Sequence, residues 1–102
     1  MLETIQYNGK SHPILAKMYA AKLWEQEYGS IAQMQNPETA TITKLLYYVY
    51  CCIANGYMYT KEPIPFTFDE MLCNVDTEEA TMMINKLDSL SQKKSKAEKP
   101  VK

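Results

Sequence analysis

Hydrophobic and polar positions along this chain change period from segment to segment. Residues 2–7, LETIQY, alternate Leu2, Thr4 and Gln6 with Glu3, Ile5 and Tyr7, the two-residue period of a strand. The following Asn8-Gly9 is the dipeptide best suited to a two-residue type I′ turn, so a β-hairpin is predicted, its second strand running from Lys10 to about Leu15. Pro13 has no N–H and is barred from a central ladder position. A lone hairpin is marginal in water, so this one must lie on helices or pair with another chain. Its exposed edge is a liability or a use.

A helical period takes over from about Ala16. In AKMYAAKLWEQEYG, Ala16, Tyr19, Ala20, Leu23 and Trp24 form one stripe and Met18, Ala21 and Tyr28 a second; Lys17, Lys22, Glu25 and Glu27 divide them, and Gly29 is a natural stop. Residues 30–39 read as a loop punctuated by Asn36-Pro37. Then comes LLYYVYCCIA, residues 45–54, a block without one charged or strongly polar side chain. At ~100° per residue, Ile42, Leu45, Leu46, Val49, Cys52 and Ile53 line one face, with Tyr47, Tyr48, Tyr50 and Cys51 on the flanks and opposite face beside Lys44. A helix apolar nearly all round is buried, crosses a membrane or sits under a partner. Lys44 and Asn55 bound this run well short of the roughly 20 apolar residues that a span needs. It is therefore predicted to be a hub helix, starting near residues 38–41 and ending at Asn55-Gly56.

Beyond the hub, Pro63 and Pro65 impose an extended crossover on YMYTKEPIPF. Thr67-Phe68-Asp69-Glu70 matches a capping box and opens a short helix. Asp76-Thr77-Glu78-Glu79 repeats the signal, with the acids where a helix dipole favours anions. Ala80, Met83, Ile84, Leu87 and Leu90 then share a face that should dock on the hub, the helix ending near Ser91. The fold class expected is α+β, mainly α: an N-terminal β-hairpin followed by a small bundle of about four helices. Residues 1–91 form one compact domain, and residues 92–102 are expected to be a disordered lysine-rich tail, having too little apolar surface to offset the entropy of ordering.

Charge sharpens that division. Residues 1–91 carry six lysines against eleven acids, whereas residues 92–102 carry five lysines against Glu98, and there is no arginine. An acidic body without arginine lacks the usual side chain for bidentate reading of phosphate or guanine. The two capped helices could pass for a helix-turn-helix, but Glu78 and Glu79 in the first turn of the reading helix would face phosphates. A helical regulator that binds nucleic acid through its basic tail is the alternative reading.

Candidate chemistry is sparse. Cys51, Cys52 and Cys73 are an odd number without framework or metal spacing, and read as free packing thiols of a reducing cytoplasm. His12, beside Pro13 in a predicted strand, reads as a surface residue rather than a ligand or base. Phosphate loop, nucleophile elbow and metal-spaced ligands are all missing, so neither enzyme activity, cofactor nor metal is expected. The first ten residues have no basic-then-apolar order, so no signal peptide is expected. What stands out is aromatic: Tyr47, Tyr48, Tyr50, Tyr57 and Tyr59 crowd into thirteen residues. Tyrosine adds interface area at low entropic cost, and equally can roof a hub helix. The candidate protein-binding residues are Tyr47, Tyr50 and Cys51 on the hub, with Tyr57 and Tyr59 after it.

In order, the hairpin through Asn8-Gly9-Lys10, the helix KMYAAKLWEQEYGSI, the aromatic TKLLYYVYCCIANG, and FTFDEMLCNVD with the following EEATMMINKL resemble the tail assembly chaperones of long-tailed bacteriophages and prophages. The resemblance covers most of residues 2–91, and departs where Ile14-Leu15-Ala16 replaces the Phe-Gly often found before the first helix. It implies a non-enzymatic protein of the infected host's cytoplasm, absent from the mature virion. Such a protein coats the tape measure protein and recruits tail tube subunits. Independently of the resemblance, the hairpin edge and the tyrosine face both offer surface for a homo-oligomer, of a stoichiometry the residues do not give. The resemblance also implies a longer frameshifted form, for which Lys93-Lys94 could be encoded by a slippery adenine run.

Overall fold

The computed structural model of the chain describes residues 2–30 and 40–97. The N-terminal hairpin consists of β1 (Glu3–Tyr7) and β2 (Lys10–Ile14), and four helices follow: α1 (Met18–Tyr28), α2 (Ile42–Thr60), α3 (Phe68–Asn74) and α4 (Thr77–Ala97). This is the expected α+β, mainly helical class. Residues 31–39 of the loop predicted at residues 30–39 lie outside the described residues.

The strands pair antiparallel with Tyr7 opposite Lys10 and Glu3 opposite Ile14. Asn8 and Gly9 both have positive φ, 53° and 78°, as a type I′ turn requires. Tyr7 and Lys10 flank this turn as a hydrogen-bonded pair, and such pairs alternate along an antiparallel ladder. Pro13 opposite Thr4 therefore falls in a non-hydrogen-bonded pair, where its missing N–H would have pointed away from β1. Ile5, Tyr7, His12 and Ile14 face inward and are buried.

Helix α2 is the hub. The sheet packs against it through β2, α1 and α4 pack on it from other sides, and Val49, Cys51, Cys52 and Ile53 have no exposed surface. Thr41 caps its start, accepting from the Lys44 N–H at 3.2 Å. It does not end at Asn55-Gly56, as expected, but continues to Thr60. The actual stop is Lys61, left-handed at φ 65°, with the Lys61 N–H donating to Met58 O and the Glu62 N–H to Tyr57 O before Pro63 forbids another turn.

Asn55 and Gly56 have tertiary tasks instead. Asn55 is buried, and its Oδ1 accepts from the backbone N–H groups of Lys17 (3.1 Å) and Ala20 (3.2 Å). A side chain of α2 thus caps α1, whose own N-cap residue, Lys17, supplies no side-chain cap. A Cβ on Gly56 would lie 2.5 Å from Pro13 O and 2.6 Å from Pro13 C, so the missing side chain is what lets β2 approach the helix. Beside it, the Leu15 N–H donates to Cys52 O at 3.0 Å.

Trp24 of α1 is wholly buried, with its indole N–H satisfied by Lys44 O at 2.9 Å. Thr67 and Glu70 form the predicted capping box of α3, and Asp76 caps α4 by accepting from the Glu79 N–H at 2.8 Å. Ala80 and Met83 are buried, and Ile84, Leu87 and Leu90 pack against the core on the expected face. The helix runs past Ser91 to Ala97. Residues 92–97 of the expected tail are thus part of α4, and QKKSKA contains neither Gly nor Pro to stop it. Residues 98–102 of the expected tail lie outside the described residues.

Candidate interaction surface

Most of the aromatic side chains form one belt of neighbouring rings. It begins at Trp24 and Tyr28 (5.1 Å between centroids) and passes through Tyr47 (5.5 Å) to Phe68 (4.9 Å). From there it continues through Tyr50 (5.7 Å) and Phe66 (5.8 Å) to Tyr7 (4.6 Å) and His12 (5.2 Å), and ends at Tyr57 (6.0 Å from His12). The contacts are mostly tilted or edge-on, the arrangement that ring quadrupoles favour. The belt fastens α1, the crossover and the hairpin to α2.

Its hydroxyls are used as well. Tyr50 donates to Phe66 O at 3.0 Å and pins the crossover. Tyr7 accepts from the Asn74 amide at 3.1 Å, tying the end of α3 to the hairpin. His12 lies 3.2 Å from Tyr7 O and 2.7 Å from the Tyr57 hydroxyl. Since a carbonyl only accepts, Nε2 carries a proton and donates it to Tyr7 O, while Nδ1 bonds the Tyr57 hydroxyl. His12 is therefore buried, not on the surface as expected: in the type I′ register it stands opposite Ile5, on the inward face.

The five candidate contact residues separate accordingly. Tyr47, Tyr50 and Tyr57 are half-buried members of the belt, and Tyr59 is exposed (67%). Cys51 is the correction, since it has no exposed surface and is sealed beneath neighbouring tyrosines. Burial pushes its thiol up to about 12 against the smaller opposing effect of a hydrogen bond with Tyr47. Burial likewise raises Cys52 to about 12, and Tyr47 to about 12 with further contributions from Cys51 and Glu27. Neither buried thiol is poised for nucleophilic chemistry. Cys73 is free and exposed. Among the described residues no group of His, Cys, Asp and Glu could hold a metal ion, and no helix is long and apolar enough to cross a membrane.

An unforeseen apolar surface lies at the other end of α2. Ile42 (41% exposed), Leu46, Leu72 (42% exposed), Val75 and Ala80 line a shallow cleft of about 130 Å³ where the first turn of α2 meets the α3–α4 junction. That is room for one apolar side chain, far below the roughly 300–1,000 Å³ of a small-molecule site. Met58 beside Tyr59 adds a second exposed apolar spot at the C-terminal end of α2. The wheel position of Ile42 put it on the buried stripe; its place in the first turn, ahead of the covering elements, is what leaves it open. Neither a protein-family model, a curated protein nor a solved structure matches this chain.

Proposed function

We propose that this chain is a non-enzymatic tail assembly chaperone of a long-tailed phage or prophage. It works in the host cytoplasm, holds the tape measure protein, brings tail tube subunits to it and does not remain in the virion. The order of elements supports this reading, since hairpin, first helix, aromatic hub, short capped helix and amphipathic helix follow one another as in the motifs that carry the resemblance. The observation that carries it physically is the cleft between Ile42 and Leu72. A long amphipathic helix offers single apolar side chains at turn spacing, and a cleft for one such side chain binds each weakly. Several copies along one chain then multiply weak contacts into a stable coat. Met58 and Tyr59, at the opposite end of α2, offer a separate spot with a polarizable and an aromatic side chain that adapt to varied partners.

Coexpression with the tape measure protein of the same genome tests the reading. The tape measure protein should become soluble and copurify with the chaperone, and Ile42→Glu with Leu72→Glu should release it while leaving the chaperone folded. A tape measure protein that stays insoluble beside the unaltered chain overturns the proposal. A longer form made by frameshifting at Lys93-Lys94 belongs to the same reading, and a non-slippery codon pair in the gene removes it.

A further inference from the structure

We propose that β1 is a pairing edge, and that a second copy of this chain adds its own β1 antiparallel to it, joining two hairpins into one four-stranded sheet. The two edges of the hairpin differ. On β2 the outward positions are Ser11 and Pro13; Pro13 has no N–H to offer, and its carbonyl is pressed against Gly56 of α2. The next residue, Leu15, already donates to Cys52 O of the same helix. From Pro13 onward that edge is closed.

On β1 the alternation of the ladder turns the N–H and C=O groups of Thr4 and Gln6 outward. Among the described residues no other backbone group pairs with them, and both residues are exposed. The strand contains no Pro, no Lys and no bulge, and its one charge, Glu3, lies outside the central Thr4–Gln6 stretch. Its central register is self-complementary. With Ile5 facing Ile5 across a two-fold axis, Thr4 meets Gln6 of the other copy and Gln6 meets Thr4, each as a hydrogen-bonded pair. Their side chains lie on the outer face and are uncharged, so no like charges meet. Ile5 is already 3% exposed in the single chain, and pairing therefore buries little new apolar surface. The association is driven by main-chain hydrogen bonds and is weak and reversible, suited to copies brought side by side. It stands apart from the identity of any tape measure partner.

Sedimentation equilibrium of the purified chain from about 10 µM to about 1 mM should show a monomer–dimer equilibrium, with the Thr4 and Gln6 amide protons protected from exchange only at the high end. Thr4→Lys with Gln6→Lys sets like charges opposite each other and should weaken association by about tenfold. Mixing that variant with Thr4→Glu, Gln6→Glu chains should restore it. Circular dichroism checks that each variant is folded, and the amide measurement on the unaltered chain needs no variant. A chain that stays monomeric throughout, a dimer whose Thr4 and Gln6 amides exchange freely, or a dimer indifferent to the lysines overturns the proposal.

Discussion

Replacing Gly56 with alanine sets two physical effects against each other with opposite signs. Inside an exposed helix the change stabilises by about 1 kcal/mol, because alanine restricts the unfolded chain and glycine does not. Here the new Cβ would meet Pro13 O at 2.5 Å, Pro13 C at 2.6 Å and Ile14 N at 3.0 Å. All three are backbone atoms, so no rotamer change relieves the contact. Restoring an ordinary separation of about 3.5 Å moves the hairpin roughly 1 Å off α2. Overpacking of this kind costs about 1–3 kcal/mol. The retreat also stretches the Leu15–Cys52 bond, now 3.0 Å, and the His12–Tyr57 bond, now 2.7 Å, each worth about 1 kcal/mol. The sum outweighs the propensity gain by on the order of 2 kcal/mol. For a domain of this size that lowers Tm by roughly 8–16 °C. Thermal unfolding followed by circular dichroism, with urea unfolding as a second measure, reads the effect. A Gly56→Ala protein as stable as the parent, or more stable, would show that the hairpin does not rest on this helix as described.

Three further outcomes are expected. Asn55→Ala removes the cap of α1 and should destabilise the chain by about 1–2 kcal/mol, with the largest gain in amide exchange at Lys17 and Ala20; uniform exchange changes would refute the assignment. Tyr50→Phe loses the bond to Phe66 O and should cost about 1 kcal/mol, whereas Tyr59→Ser on the exposed surface should stay within about 0.5 kcal/mol in urea titrations. In native protein a thiol reagent should modify Cys73 quickly and Cys51 and Cys52 only on unfolding, as mass spectrometry of the labelled peptides would show. Since the buried thiols titrate near 12 folded and from 9.0 unfolded, the unfolded chain releases their protons first as pH rises. Their contribution to stability is intact below pH 9 and is lost between 9 and 12, so Tm should fall across that window and fall less in a Cys51→Ala variant.

Local chemistry explains what could be read directly from the residues. Asn8-Gly9 specifies its turn through two positive φ values, and Thr67, Glu70 and Asp76 specify helix starts through bonds no more than three residues long. The hub was visible because LLYYVYCCIA admits no exposed face. Asn55-Gly56 misled because the same residue types that end a helix also serve to cap another helix and to admit another backbone; Pro63 was the better stop signal. A helical wheel gives the angle of Cys51 and its neighbours Tyr47 and Tyr50 but not the approach of Tyr28, which comes from another helix. His12 was recoverable, since the predicted turn already set it opposite Ile5. The cleft at Ile42 and Leu72 was not, because it exists only where three helices converge.

The borrowed cap of α1 has a consequence for synthesis on the ribosome. Helix α1 is 11 residues long and has no acidic residue in its first turn, too short and too poorly started to persist alone. As the nascent chain emerges, that segment stays unfolded until Asn55 has been made and α2 has wound far enough to present it. The N-terminal third of the molecule therefore waits on the middle third, and a stalled or truncated chain ending before residue 55 leaves Trp24 uncovered for the cell's quality control to find.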